Sequence, residues 1–347
     1  MVRFSDFLNE DKPQAPPSRQ PDHGASPVTP ATPARPAQAQ PPKPLAPEAA
    51  KPTGSTEAVF YDHLLGCVIT LCSQLRANQL PDLAEAAVLV DRLPKLLAGS
   101  RGELVLSWVS RQMPEHYLYG HSVNVAILSA FIATGLGYPQ PVVQQLGMAG
   151  LIADLGIVGA HETLTAAPRP LTESEKRQLE AHAVASSTLF EASVVLSSDA
   201  REAVLAHHER LDGSGYPNGL RDAAVPEYAR IVAVADVYDA MTHTRPHRRR
   251  LSPAEALKVL IAGSDKQFDR RPVKVLVDEF SLYPPGSAVR LNTNEVGVVQ
   301  KVHREAPLRP LVLISRDANQ NVLPSPRTVN LLEHPFIYVK EIVPEQE

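Results

Sequence analysis

From residue 56 onward the chain places apolar side chains with the period of a helix. Leu64, Cys67, Val68, Leu71 and Leu75 follow the i, i+3, i+4, i+7 spacing, and Leu83, Ala87, Val90 and Leu93 repeat it before Pro94. The same pattern predicts helices over residues 105–109, 123–134, 141–153, 173–189, 199–208, about 226–241, and 253–262, with short connections and no internal repeat. A run of helices joined this way predicts an all-α body. After Tyr283 the period shortens. Residues 289–291, the Asn292-Thr293-Asn294 turn and residues 296–302 read as a hairpin, and 311–315 and 338–343 as further strands, giving a small β appendage.

The first 55 residues have neither period. Thirteen of the chain's 33 prolines fall there, with Ala, Gln, Ser and Thr between them. Such a segment cannot build a core and reads as a disordered, partly polyproline-like tether, with Phe4, Phe7 and Leu8 as a short docking helix at its start. The expected division is a tail (1–55), a helical segment (56–115), a central helical domain (116–280) and a β-rich module (281–347) that serves packing or pairing of copies.

Composition narrows the chemistry. With 34 basic and 38 acidic side chains the net charge is -4, which gives no electrostatic case for a nucleic-acid polymer as partner. Cys67 and Cys72 lie five apart in an apolar helical stretch, a pattern of buried thiols rather than of a disulfide framework or zinc knuckle. The longest apolar run, 64–72, is half of the roughly 18 residues a membrane span needs. The N-terminus carries acids where a signal peptide needs an apolar core. The expectation is a soluble, cytoplasmic protein.

The helical body concentrates histidine and aspartate. His121 is expected just before a helix, Asp154 at the end of one, and His182 within the 173–189 helix. His207 and His208 follow one another at a helix end, and Asp236 interrupts the apolar run 231–237, where a charge is costly unless paired or metal-bound. Singly, each is more often a satisfied core or surface residue. Together, four imidazoles and two carboxylates from five helices are the ligand inventory of a bundle metal site, suited to Fe, Mn or Zn rather than to all-oxygen ions.

The string His207-His208-Glu209-Arg210-Leu211-Asp212-Gly213-Ser214-Gly215-Tyr216-Pro217 closely resembles the signature of the HD-GYP family of cyclic dinucleotide phosphodiesterases. The likeness extends from His116 to Asp278, through RIVAVADVYDAM (230–241) and Arg245-Pro246-His247-Arg248. The resemblance implies an HD-domain helical bundle that opens cyclic di-GMP, or a related cyclic dinucleotide, to pGpG and GMP with two divalent ions, Fe or Mn. Asp154 would be the catalytic bridge between the ions. His121 and Asp236 would help hold one, and His182, His207 and His208 the other. Arg245 and Arg248 would contact phosphate, and Gly213, Tyr216 and Pro217 would shape the substrate side. Partners so implied are the dinucleotide, a signalling protein docking on the Gly213–Pro217 loop, and a second copy of the chain.

The sequence departs from that family at the residue before Asp154, which is Ala153 where the His of the His-Asp dyad is expected. A methyl group cannot ligate, so one site loses a ligand and only one ion is held firmly. His161 stands seven residues beyond Asp154 and is expected to face outward. Ile157 stands where many members have Lys, and Ala183 and Ser186 replace Pro and Gly. His247 replaces Tyr, and Tyr117 replaces the Glu of three-metal members, so no third ion is expected. Two readings follow: a slowed phosphodiesterase, or a module that senses the nucleotide or a partner without turnover.

Overall fold

In the computed structural model, residues 56–343 are described apart from 98–101, 114–116, 160, 166, 168, 245–249, 284, 304 and 305. The Pro-rich tail and its Phe4, Phe7 and Leu8 lie outside the described residues, and so do Arg245, His247 and Arg248. The described helices are α1 (Thr56–Arg76), α2 (Ala84–Val90), α3 (Leu93–Leu97), α4 (Gly102–Val109), α5 (Tyr117–Gly135), α6 (Gln140–Ile152), α7 (Glu162–Thr165), α8 (Glu173–Glu180), α9 (His182–Leu189), α10 (Ser198–Ala206), α11 (Glu227–Thr242), α12 (Pro253–Gly263) and α13 (Arg270–Phe280). Strands β1 (Ala288–Leu291), β2 (Val296–His303), β3 (Ala306–Arg316), β4 (Val322–Asn330) and β5 (Val339–Ile342) complete the chain. The protein is a helical bundle followed by a small antiparallel sheet.

The bundle is organised around α5. Every residue from Gly120 to Ala133 is buried, so this helix is apolar on all sides, as a helix enclosed by others must be. By length and composition it is the one described helix able to cross a bilayer, but 78% of its most apolar window is buried within the protein. Helix α6 packs against it very closely. A Cβ on Gly150 would lie 2.7 Å from the Val125 carbonyl oxygen, so a side chain there would push the two helices apart. This contact brings the His121 turn of α5 alongside the end of α6, where Asp154 follows. Helix α11 lies against both, and α13 seals the far side, with Phe280 stacked on Phe131 (centroids 5.5 Å apart) and against Tyr238.

The observed helices depart from the predicted ones in several places. His121 lies within α5 rather than ahead of it, because the apolar run extends back to Tyr117. The predicted 173–189 helix is two helices, with Ala181 between them. Thr172 and Glu175 form a capping box at the start of α8, and the chain turns at Ala181 before α9, which packs against the backbone of Gly156. A Cβ on Gly156 would meet the His182 carbonyl at 2.4 Å, and the Gly156 amide donates to Ser186 Oγ (2.8 Å). Helix α13 was not expected from the sequence; Pro272 sits in its first turn, where proline is tolerated.

The sheet has the order β4-β3-β2-β1-β5 with every pair antiparallel. The expected Asn-rich hairpin joins β1 to β2, with Asn294 in the left-handed region (φ 67°). Strand β4, unforeseen, carries Pro324 and Pro326, which fit because it is an edge. Both cysteines are buried thiols. Burial pushes Cys67 up to about 11 and Cys72 up to about 12, so neither is a reactive thiolate.

Candidate metal centre

Five segments deliver six ligand-type side chains to one place. His121 comes from the second turn of α5. Ala153 still has helical dihedrals at the end of α6, and Asp154 (φ -101°, ψ 2°) breaks the helix and turns its carboxylate inward. His182 opens α9, His207 caps the C-terminus of α10 and His208 follows it, while Asp236 projects from the middle of α11. The six residues foreseen from the sequence are therefore gathered together, and all are buried or nearly so, His208 and Asp154 keeping the most exposure.

Their ring nitrogens are oriented by the backbone. His182 Nδ1 donates to the Leu179 carbonyl (2.6 Å) and His207 Nδ1 to the Val204 carbonyl (2.7 Å), so both keep a lone pair on Nε2. These Nε2 atoms lie 3.5 Å apart, and His208 Nε2 is 3.1 Å from that of His182. Asp154 Oδ1 sits 3.1 Å from His182 Nε2 and 3.3 Å from His207 Nε2, yet it is buried without a directed hydrogen bond. Acceptors converging on acceptors repel unless a cation or protons lie among them. The donor set Asp154, His182, His207 and His208 thus fits a divalent ion.

A second group shares Asp154. Its Oδ2 lies 3.2 Å from His121 Nε2, which is also 3.1 Å from Asp236 Oδ1. His121, Asp154 and Asp236 form this three-member cluster, with one carboxylate common to both groups. Ala153 is buried and lines the narrow void beside His121, Asp154, His207 and Asp236, with only a methyl group to offer.

Electrostatics follow the geometry. Burial opposes the charge on Asp154, but the surrounding imidazoles of His121, His182 and His207 hold it well below the usual carboxylate range. Burial also opposes the charge on His121. Tyr117 and the carboxylates of Asp154, Asp236 and Asp239 nevertheless raise it well above its ordinary value. His208 is pushed well below, by burial and by its neighbours His207 and His182.

The motif loop is held from beneath. Buried Glu209 accepts from the amides of Asn218 (2.7 Å) and Leu220 (2.9 Å), and Arg210 lies over the Phe268 ring while donating to the His207 and Glu209 carbonyls. The Tyr216 ring then sits 4.6 Å from that of His208 and 6.4 Å from that of His182, beside the imidazole group. Gly213 (φ 74°) makes the turn, and the exposed Pro217 follows Tyr216 through a cis peptide. Gly215 is the tightest point. A Cβ there would lie 2.4 Å from the His208 carbonyl oxygen and 2.5 Å from the Arg210 nitrogen. Gly215→Ala is expected to destabilise the protein by on the order of 2 kcal/mol, because only backbone stands in the way. Urea unfolding of the two proteins checks it, and equal midpoints would refute the close packing.

Sequence reasoning missed Asp239 and His243. Asp239 is fully buried on α11, one turn after Asp236, and its Oδ2 lies 2.7 Å from His121 Nδ1. His243 Nδ1 is 3.1 Å from Asp239 Oδ1 and 3.0 Å from the Asp239 carbonyl. The spacing of two carboxylates three apart in an apolar helix was the available signal. His161 is not among the gathered groups.

Comparison with known proteins adds ancestry to this geometry. Residues 95–271 match the family described as "HD domain", and residues 288–347 match "KOW domain associated with HD domain". The chain is 33% identical over 262 residues to a cyclic di-GMP phosphodiesterase of Pseudomonas aeruginosa, covering 76% of this chain and 63% of that protein. It is 36% identical over 148 residues to a 3'3'-cGAMP-specific phosphodiesterase of Vibrio cholerae, covering 42% of this chain and 33% of the relative. It thus spans less than two thirds of either relative's length. A solved HDG"Y"P protein from Bdellovibrio bacteriovorus superposes with a TM-score of 0.53 at 17% identity, over 65% of this chain and 73% of the other, a likeness of fold.

Proposed function

The chain belongs to the HD-domain family, as a member of its HD-GYP group, and from that premise we propose that it is a metal-dependent phosphodiesterase hydrolysing a cyclic dinucleotide, cyclic di-GMP first. The observation that supports this most is Asp154, one carboxylate whose two oxygens face two separate donor groups. His182, His207 and His208 with Asp154 would hold one divalent ion, and His121 and Asp236 with Asp154 a second, with Fe or Mn as the ions that suit this donor set. When bound, such ions supply Lewis acidity toward a phosphoryl oxygen and make water acidic enough to attack at neutral pH.

The chain's own residues arrange the rest. The backbone carbonyls of Leu179 and Val204 fix two imidazoles with Nε2 inward before any ligand arrives, so little reorganisation is needed. Tyr216 offers an aromatic wall at the rim, where a base or sugar of the substrate can pack. Arg245 and Arg248 are our candidates for the phosphate contacts, because a guanidinium fork matches two phosphate oxygens.

Ala153 favours a second reading, a module that binds the dinucleotide or a signalling partner without turning it over. Anaerobic purification, metal analysis and incubation with cyclic di-GMP separate the two. A linear product formed with at least one bound metal per chain supports the enzyme. Saturable binding with no product supports the sensor. A further outcome is expected from metal removal. Dialysis against a chelator should abolish turnover and lower the melting temperature, since an ion binding only the folded state at 100 times its Kd adds about 2.7 kcal/mol. An unchanged melting curve would mean that no structural ion was lost.

A further inference from the structure

Asp239 carries no ligand role in the proposed function, yet it is the most deeply buried carboxylate among the described residues (0% exposed) and accepts the shortest contact that His121 makes (2.7 Å). A buried carboxylate is retained only where partners compensate it. Its partners form a chain with a single direction. Tyr61 of α1, itself fully buried beneath Arg111, donates from its hydroxyl to Asn124 Oδ1 (2.9 Å), which turns the Asn124 amide nitrogen toward His243 Nε2 (3.4 Å). That Nε2 also lies 3.2 Å from the Arg111 carbonyl. Whichever of the two it pairs with, His243 Nδ1 must carry a proton, because it faces two Asp239 oxygens at 3.0 and 3.1 Å. Asp239 Oδ2 is then left to accept from His121, and the closeness of that contact requires the proton to be on His121 Nδ1.

The consequence lies at the other edge of the ring. With Nδ1 committed to Asp239, Nε2 is the nitrogen left facing the space between Asp154 Oδ2 and Asp236 Oδ1, and the one able to offer an ion its lone pair there. Tyr117 keeps the ring from turning. It stacks on His121 at 5.2 Å with 19° between the planes, and its hydroxyl is 3.2 Å from Nδ1, a longer and uncharged alternative to Asp239.

We propose that Asp239 is the positioning residue of the three-donor site, selecting the His121 tautomer and raising its donor strength, with His243, Asn124 and Tyr61 holding Asp239 in place from the first described helix. The proposal rests on the reading of the centre as a metal site. It also bears on Ala153. A site one donor short depends more on the strength of each donor it keeps, so the orienting carboxylate matters more here than in a fully furnished site.

The test uses the full chain stripped of metal and titrated with Co²⁺, with binding followed by visible ligand-field absorption. The wild-type protein is expected to fill a tighter four-donor site and then a weaker three-donor site. Asp239→Asn, which keeps the shape and removes the charge, is expected to weaken the second step about 10–100-fold and leave the first unchanged. Both steps unchanged, or both weakened alike, would overturn the proposal, since a general loss of packing does not choose between sites. A wild-type protein that binds no Co²⁺ would overturn the metal reading itself, and with it this inference. Because Asp239→Asn alters a buried group, a second measurement stands without it. Two-bond proton–nitrogen correlation spectra of the zinc-loaded wild-type protein are expected to place the His121 proton on Nδ1, and a proton on Nε2 would overturn the assignment.

Discussion

Asp154→Ala is expected to strip both donor groups at once, lowering cyclic dinucleotide hydrolysis by at least about 1,000-fold, or about 4 kcal/mol of transition-state stabilisation. No other residue of the centre has this reach. Its Oδ1 faces His182 and His207, and its Oδ2 faces His121, so one truncation takes a donor from each group. Removing His208, by comparison, would leave the His121, Asp154 and Asp236 group intact. The variant should still fold. Asp154 lies at a helix end rather than in the packed interior of α6, and the imidazoles it leaves can be neutral, with His182 and His207 anchored to backbone carbonyls. Metal analysis, turnover and far-ultraviolet circular dichroism on the same preparation make the check. Asp154→Asn serves as the milder companion, retaining one acceptor oxygen and losing the charge. Metal content and turnover within tenfold of wild type, in a folded Asp154→Ala protein, would refute the shared-carboxylate centre.

How far the sequence disclosed this site depended on whether a residue's role was local. The six donors were legible because Asp236 is a costly charge in an apolar helix, because four imidazoles and two carboxylates together make a metal-site inventory, and because the 207–217 string resembles a known family's signature. Asp239 was equally costly, but its reason is His121, 118 positions earlier, and no local pattern exposes that pairing. The break at Ala181 is similar. Residues 173–189 contain neither Gly nor Pro to mark it, and the half beyond it packs on the Gly156 backbone, whose amide donates to Ser186 Oγ 30 positions away in the chain. Helix α5 shows the opposite failure. Reading it as amphipathic from residue 123 underestimated a helix that is buried on every side, which periodicity alone does not reveal. In the sheet, β4 was hidden by its prolines, which are acceptable only because the strand turned out to be an edge.

The departure at Ala153 was plain in the sequence, but its physical meaning needed the structure. Ala153→His is expected to raise occupancy of the His121, Asp154 and Asp236 group and to increase turnover about 10–100-fold, the scale of effect that a ligand-supporting group has on metal sites. The backbone there is helical (φ -52°, ψ -40°), so a histidine is accommodated without strain. Ala153 lines the same void as His121, Asp154 and Asp236, so a side chain there adjoins the three-donor group. Crowding is the opposing effect. Gly150, one turn earlier, touches α5 with no room to spare, and an imidazole that fails to find an ion would overpack the α5–α6 contact by about 1–3 kcal/mol. The two effects separate by metal. The metal-free variant should melt below the metal-free wild type, and the loaded variant should recover or exceed it, with the gain in turnover appearing only in the loaded form. A variant that gains neither metal nor rate would show that Ala153 is not the missing ligand position. A wild-type protein already holding two ions as firmly as the variant would show that water or another group completes the site, and that the methyl group costs it nothing.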